Sequence, residues 1–546
     1  MQDTETTWDS EADFIIVGAG SAGCVLANKL SENPAHKVLL LEAGPRDSSP
    51  WIHLPIGYYK TIFHPVLSWG YQTDPDPGIN NRSITWPRGR VLGGSSSING
   101  LVYVRGQQED FNHWRQLGNT GWSYDDVLPL FKTLENQQRG ADDYHGANGQ
   151  LQVSDSMQSE LADAYIKACE EAGIPRNDDF NGASQEGAGY FQLTNTHQGA
   201  KGRRCSSAVA FLRPAEKRPN LRVVTGALTQ KVLFEGRRAR GVLYSHEGRQ
   251  QRARASREII LCSGAINSPQ LLQLSGVGPA ELLRAHDIAL VHELPGVGAN
   301  LQDHLQIRSV YRCTRPLTLN DVQNNPLKKI SAGLQYALRR QGPLTIGAGQ
   351  VGVFAKTRPE LASPDVQFHF IPFSAEKAGE KLHPFPAFTA SVCQLRPDSR
   401  GTVQIKSADP TQHPSIQPNY LATDNDRQTM LDGLKLARKI AAAPSLQPYI
   451  AAEYLPGPEV SDDAELMAYI QDKSNTIFHP SGTCKMGPDD MAVVDEKLRV
   501  KGIEGLRVAD ASIMPTVISG NTNAACIMIG AKCAQMILDA AAHGSS

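Results

Sequence analysis

The chain has 546 residues, with 54 Lys plus Arg against 56 Asp plus Glu, 40% hydrophobic and 20% charged residues. That length exceeds the roughly 250 to 300 residues one hydrophobic core usually serves, so two domains or one heavily elaborated domain are expected. The near-neutral balance excludes a long-range field for nucleic acid or an anionic membrane, and the composition excludes a disordered chain.

The opening Met1 to Glu11 is acidic where a signal peptide is basic and then apolar. No run approaches the roughly eighteen apolar residues of a bilayer span. A cytoplasmic protein is expected, with peripheral contact on the inner face of the membrane as the alternative. Nine cysteines without a CxxC pair fit neither a disulfide framework nor a zinc site, so no metal is expected. They read as reduced and structural, with Cys484 singled out because it lies close to a candidate catalytic His.

Asp13-Phe14-Ile15-Ile16-Val17 reads as a buried parallel strand, and it leads into Gly18-Ala19-Gly20-Ser21-Ala22-Gly23. Val25, Leu26, Ala27 and Leu30 give the next segment an apolar helical face, and Lys37 to Glu42 reads as a second strand ending in an acid. This βαβ unit is a dinucleotide fingerprint. Gly18 permits the turn, Gly20 admits the pyrophosphate, Gly23 lets helix and strand pack, and Glu42 accepts from ribose hydroxyls. Ser21 and Ala43 fall beside these residues and join the cofactor-binding set. FAD and NAD present the same half to such a turn, so the unit does not separate them. Gly347 to Gly352 also fits GxGxxG, but Pro343 precedes it without an apolar strand, and it is assigned no nucleotide.

Trp51 to Trp69 is apolar without a clear period. An entrance loop, a rest on a membrane surface and an oligomer interface suit it equally. Gly93 to Ser97 offers backbone amides and hydroxyls suited to a phosphate or a flavin edge. Between about 307 and 470 the pattern alternates, as in Val366 to Phe370 and Thr402 to Lys406, before an amphipathic helix through Met430, Leu434 and Ile440. His369 reads there as a strand residue.

Three segments carry a resemblance: Arg88 to Asn99 (RGRVLGGSSSIN), Gly264 to Gly278 (GAINSPQLLQLSGVG) and Phe478 to Gly487 (FHPSGTCKMG). Together they are similar to the glucose-methanol-choline oxidoreductases. Leu40 to Pro45 and Leu294 to His304 resemble that family's bacterial choline dehydrogenase and aliphatic alcohol dehydrogenase branch. The resemblance implies FAD. Position by position it places Gly94, Ser95 and Asn99 at the flavin, with Arg90 and Val104 nearby. It also places Val232 at the adenine and Asp510 near the ribityl chain. Ile98 stands where some members link FAD covalently through a His, so a non-covalent flavin is expected.

Alcohol oxidation needs a base beside a hydride acceptor, and the resemblance makes His479 that base. A second polar residue should bind the alcohol oxygen. Asn523 is chosen from Gly520-Asn521-Thr522-Asn523-Ala524, with Asn521 as the alternative and capping of the following helix as the plain role for either. Ala525-Cys526 departs from the Pro-Thr frequent in relatives, which puts substrate preference in doubt before the reaction. Gln350 stands where choline-specific relatives carry an acid, which weighs toward a neutral alcohol.

The expected fold is α/β. A Rossmann-like FAD-binding domain over 1–155, 195–306 and 471–546 is interleaved with an α+β substrate domain over 156–194 and 307–470, built on an antiparallel sheet. The expected activity is oxidation of a primary alcohol, with electrons passed to a quinone or another acceptor. An O2-using oxidase, a choline dehydrogenase and a non-alcohol flavoprotein such as a light-driven decarboxylase remain the alternatives. A nucleic-acid role is not expected, and an oligomer is left open.

Overall fold

The computed structural model describes residues 7–377 and 379–543, so most of the acidic N-terminal stretch lies outside the described residues. The apolar segment at the start forms the strand Ser10–Val17, flanked in parallel by Val38–Glu42 and Arg249–Leu261. Leu221–Thr225 continues the sheet beside Val38–Glu42, and Leu506–Val508 joins beyond Arg249–Leu261. Val38 to Glu42 are all buried, as a parallel strand covered on both faces requires. Ala227–Glu235 and Arg238–His246 extend the edge as an antiparallel hairpin.

The helix Ser21–Leu30 crosses between the first two strands and buries eight of its ten residues. A Cβ on Gly23 would lie 1.9 Å from the Gly18 carbonyl oxygen, so any side chain there would push the helix off the sheet. The C-terminal helix Asn523–His543 packs on the same layer through Ala524, Ile527, Met528 and Ile537. Contrary to the expectation of no such run, its Asn523–Ala541 stretch is long and apolar enough to cross a bilayer. Its burial in the core answers for that composition.

A second sheet is antiparallel throughout. Its order is Ile450–Leu455, Leu305–Cys313, Ala387–Gln394, Val366–Ile371, Val351–Ala355 and Gly187–Tyr190, with Asn475–Thr476 paired to Leu305–Cys313. One face packs on the helices Glu160–Glu171 and Asp424–Ala441, where Tyr165 stacks on Phe370 with ring centroids 4.6 Å apart. The other face lines a cavity. Thr402–Gln404, expected in this sheet, instead forms a separate ribbon with Ser415–Gln417. Two strands of the sheet, at 305 and 475, also lie partly or wholly outside the expected 307–470 limits. The second GxGxxG runs into the strand Val351–Ala355, where Phe191 fills the space beside Gly349 and Gly352 and leaves no cradle.

Candidate active site

One cavity of about 360 Å³ runs from the glycine turn to the antiparallel sheet. At its nucleotide end stand Gly18, Gly20, Ser21, Glu42 and Ala43. The helix Ser21–Leu30 has no side chain capping its first turn, so its free N–H groups face the space a pyrophosphate would take. Glu42 Oε2 accepts from Ala19 N (2.9 Å) and Oε1 from Gly44 N (2.8 Å), which leaves a lone pair on each oxygen for ribose hydroxyls. Burial pushes its carboxyl up to about 7.

Gly94 sits at φ +54°, and a Cβ on it would lie 2.7 Å from Gly20 Cα, so the two glycine turns close together by needing no side chains. Ser95, Ile98 and Asn99 continue the wall, and Ile98 offers no nitrogen for a covalent link. Asp510 is also on the wall. It accepts from Gly264 N (2.8 Å) and Ser268 Oγ (2.6 Å), tying the start of the helix Gly264–Leu274 to the C-terminal strand. These residues fit FAD: an uncapped helix start, a side-chain-free cradle and a ribose acceptor lie in line.

Four residues of the expected cofactor set lie off the wall: Gly23, which packs at the helix–strand contact, and three others. Val104 is buried beneath Gly520, Val232 donates its N–H to Ser275 Oγ (2.8 Å), and Arg90 lies over the Trp69 ring at 4.8 Å. The cavity instead meets the hairpin at Ala227, Leu228 and Thr229, and the other wall at Leu101 and Val102. Arg90 still carries a buried Nε without a hydrogen-bond partner among the described residues.

At the far end, Phe478 takes the left-handed φ of 71°, unusual for a bulky residue, and so turns His479 into the cavity. Its N–H donates to Thr476 Oγ1 (2.6 Å) and its carbonyl accepts from Arg88 Nη2 (2.6 Å), while Asp303 Oδ1 accepts from His479 N (2.7 Å). The Phe478–His479 backbone is therefore held by three hydrogen bonds.

The ring is fixed too. His304 Nε2 lies 3.0 Å from the Leu395 carbonyl, which can only accept, so that nitrogen carries the proton. His304 Nδ1 is then the acceptor, and His479 Nδ1, 3.0 Å away, must donate to it. His479 Nε2 is left bare and faces Asn521 Nδ2 at 3.3 Å. Gln367 Nε2 donates to Asn521 Oδ1 (3.1 Å), which holds the amide with its N–H groups toward the histidine.

Asn521, not Asn523, is thus the partner of His479. Asn523 begins the C-terminal helix, and its Oδ1 accepts from Ser21 Oγ (2.7 Å), which places it on the cofactor side. His369 remains a strand residue but also lines the cavity with Asn521. His304, Asp303, Arg88 and Gln367 had no assigned role in the sequence, although Asp303-His304 ends one of the motifs that mark the resemblance. Cys484 is fully buried off the wall, and burial pushes its thiol up.

Burial, then His304, His369 and Arg88, hold the His479 imidazolium well below the ordinary histidine range. Burial likewise lowers His304 and His369 to about 4. All three rings are neutral at pH 7. The rate constant for flavin reduction by alcohol is therefore expected to stay level as pH falls from 8 through 6.5, because a lowered pKa keeps the base unprotonated. A stopped-flow pH series checks this, and a limb at an ordinary histidine pKa near 6.5 contradicts it.

A dinucleotide cleft that ends at a neutral histidine and an oriented amide defines a flavoprotein oxidoreductase. GMC oxidoreductase N- and C-terminal regions match residues 12–306 and 397–530. The chain is 46% identical to the alcohol dehydrogenase [acceptor] of Pseudomonas putida, over 96% of this chain and 95% of that one. It is also 46% identical to the oxygen-dependent choline dehydrogenase of Ectopseudomonas mendocina, over 97% and 94%. The crystal structure of pyridoxine 4-oxidase from Mesorbium loti superposes with a TM-score of 0.88 at 30% identity, covering 97% and 99% of the two chains. The chain belongs to the GMC oxidoreductase family.

Proposed function

We propose that the protein oxidises a primary alcohol to an aldehyde, with His479 as base and Asn521 as the second anchor of the alcohol oxygen. The observation that carries this reading is the bare Nε2 of His479, fixed by the His304 and Leu395 chain and facing Asn521 across the cavity. Bound FAD supplies the hydride acceptor. His479 Nε2 takes the hydroxyl proton, and Asn521 Nδ2 donates to the oxygen as negative charge grows there. The apolar wall of Tyr58, Tyr59, Ile62 and Phe478 excludes water. The first test is anaerobic mixing of the holoenzyme with primary alcohols: loss of flavin absorbance supports the reading, and its absence for every alcohol opposes it.

Choline is disfavoured. Gln350 bonds Ser159 and the Met157 carbonyl away from the cavity, and among the described residues the only carboxylates on the cavity wall, Glu42 and Asp510, stand on its cofactor side. The acceptor is read as a quinone or similar carrier, in keeping with the acceptor-type relative. An oxygen-dependent relative at equal identity keeps O2 as the second reading. Parallel assays with decylubiquinone and O2 separate the two.

A quinone acceptor suits peripheral attachment to the inner membrane face, and the helix Pro326–Arg339 supports it. Leu327, Ile330, Leu334 and Leu338 are 76, 60, 56 and 81% exposed and share one stripe at spacings of three and four. Lys328, Lys329, Arg339 and Arg340 flank them, with no acid from Pro326 to Gly342. The whole-chain charge is near zero, but this segment is locally basic and apolar, as a helix lying on an anionic leaflet requires. In vesicle sedimentation, Leu334→Asp with Leu338→Asp is expected to weaken binding to phosphatidylglycerol-containing vesicles by about tenfold or more. Equal sedimentation of variant and wild type overturns the attachment.

A further inference from the structure

We propose that Arg308 forms an anion-binding subsite, and that the preferred substrate is an alcohol carrying a carboxylate or similar anionic group at the end remote from its carbinol. This deepens the alcohol reading and rests on it. It replaces the neutral alcohol expected from sequence with a charged one.

The argument begins with strand alternation. His304 immediately precedes the strand Leu305–Cys313, whose Leu305 and Ile307 face the apolar core, while Gln306 and Arg308 face the cavity. His304 touches His479, so one line of side chains carries the support of the base at one end and a guanidinium at the other. In register, Arg308 lies opposite Ser391, and Ser391 lies opposite His369, with all three on the cavity wall. Two strand spacings, about 10 Å, therefore separate the Arg308 backbone from that of His369, which shares the cavity wall with Asn521. A short bifunctional molecule spans such an interval.

The guanidinium itself is unsatisfied. Several buried or half-buried arginines are occupied: Arg105 pairs with Glu135, Arg507 with Glu258, Arg204 bonds Asn99 and two carbonyls, Arg88 bonds the Pro87 and Phe478 carbonyls, and Arg90 at least lies over the Trp69 ring. Arg308 makes no side-chain hydrogen bond, ion pair or ring contact among the described residues; its carbonyl alone accepts, from the Tyr469 hydroxyl at 2.7 Å. The groups that act on its charge are the Tyr469 and Tyr58 phenols, with no carboxylate among them. The Tyr58 phenol, on the same wall, likewise makes no hydrogen bond among the described residues. Lys377 adds a second cation at the exposed rim.

A half-buried cation without a counter-charge is costly to keep, and a planar guanidinium presents paired donors matched to a carboxylate. The phenol of Tyr58 adds a third donor. An anion seated there satisfies both groups and directs the other end of the substrate along the sheet toward His479 and Asn521.

The test pairs alcohols that differ in the anion alone, with FAD-loaded enzyme: 4-(hydroxymethyl)benzoate against 4-methylbenzyl alcohol, and 4-hydroxybutanoate against 1-butanol. In wild type the anionic member is expected to lead in kcat/KM by about 10- to 100-fold, chiefly through a lower KM, as a charge-assisted pair supplies. Arg308→Gln should bring the ratio close to one, and Arg308→Lys should restore part of it. Benzoate, which has no carbinol, should inhibit wild type competitively and Arg308→Gln far less, with flavin content of each variant as the check on folding. Equal kcat/KM for the paired alcohols in wild type, or a lead that survives Arg308→Gln, overturns the anion site while the alcohol reading stands. Failure of all four alcohols to reduce the flavin overturns both.

Discussion

In the His479→Ala variant, flavin reduction by a primary alcohol is expected to slow by about 10²- to 10⁴-fold, the range a positioned general base supplies. The loss should fall on the chemical step. The backbone at 479 is held by Asp303, and its neighbour Phe478 by Arg88 and Thr476, so alanine leaves the turn and the cofactor cleft in place. The groups left without a partner, His304 Nδ1 and Asn521 Nδ2, border the space the ring vacates, where water can enter. The variant should purify with its full flavin content. A rate within a few-fold of wild type would show that the proton leaves by another path.

His304→Leu is expected to cost about 10²-fold in the same rate constant, although His304 is off the cavity wall. Its role is to position His479: by accepting from His479 Nδ1 it fixes the tautomer that leaves Nε2 bare, and without it the ring is free to carry its proton on the wrong nitrogen. A second readout separates this from general damage to the fold. His304→Gln, whose amide oxygen can accept from His479 Nδ1, should recover part of the rate that His304→Leu loses. Equal rates for the two variants would reduce His304 to a packing residue.

The nucleotide end was legible in the sequence because its chemistry belongs to the backbone. Gly18, Gly20 and Gly23 are needed for what a side chain would obstruct, and that requirement is local in the chain. Glu42 was legible for a related reason, since it ends the strand that feeds the same turn. Val104, Val232 and Arg90 were misplaced because the wall they were expected to form depends on which residues of a strand or hairpin face inward. Two register shifts lie within the Ala227–Glu235 and Arg238–His246 pairing.

At the reacting end the limit is geometric. Asn521 and Asn523 are two residues apart with the same side chain, and only the point at which the helix begins sends one to His479 and the other to Ser21. His304 lies 175 residues from His479, and their pairing requires the end strand Asn475–Thr476 to dock beside Leu305–Cys313. Arg308 reads in sequence as an ordinary polar position in an alternating strand. Its place on the cavity wall and the absence of a side-chain partner among the described residues single it out.

The central claim is that a carbinol hydrogen leaves as hydride while its hydroxyl proton passes to His479. The most direct measurement is anaerobic stopped-flow reduction of the yellow holoenzyme by a primary alcohol and by the same alcohol deuterated at the carbinol carbon. The account predicts that flavin absorbance is lost with both, and more slowly with the deuterated substrate. Failure of any alcohol to bleach the flavin, or bleaching at the same rate with both isotopes under conditions where chemistry limits, contradicts it.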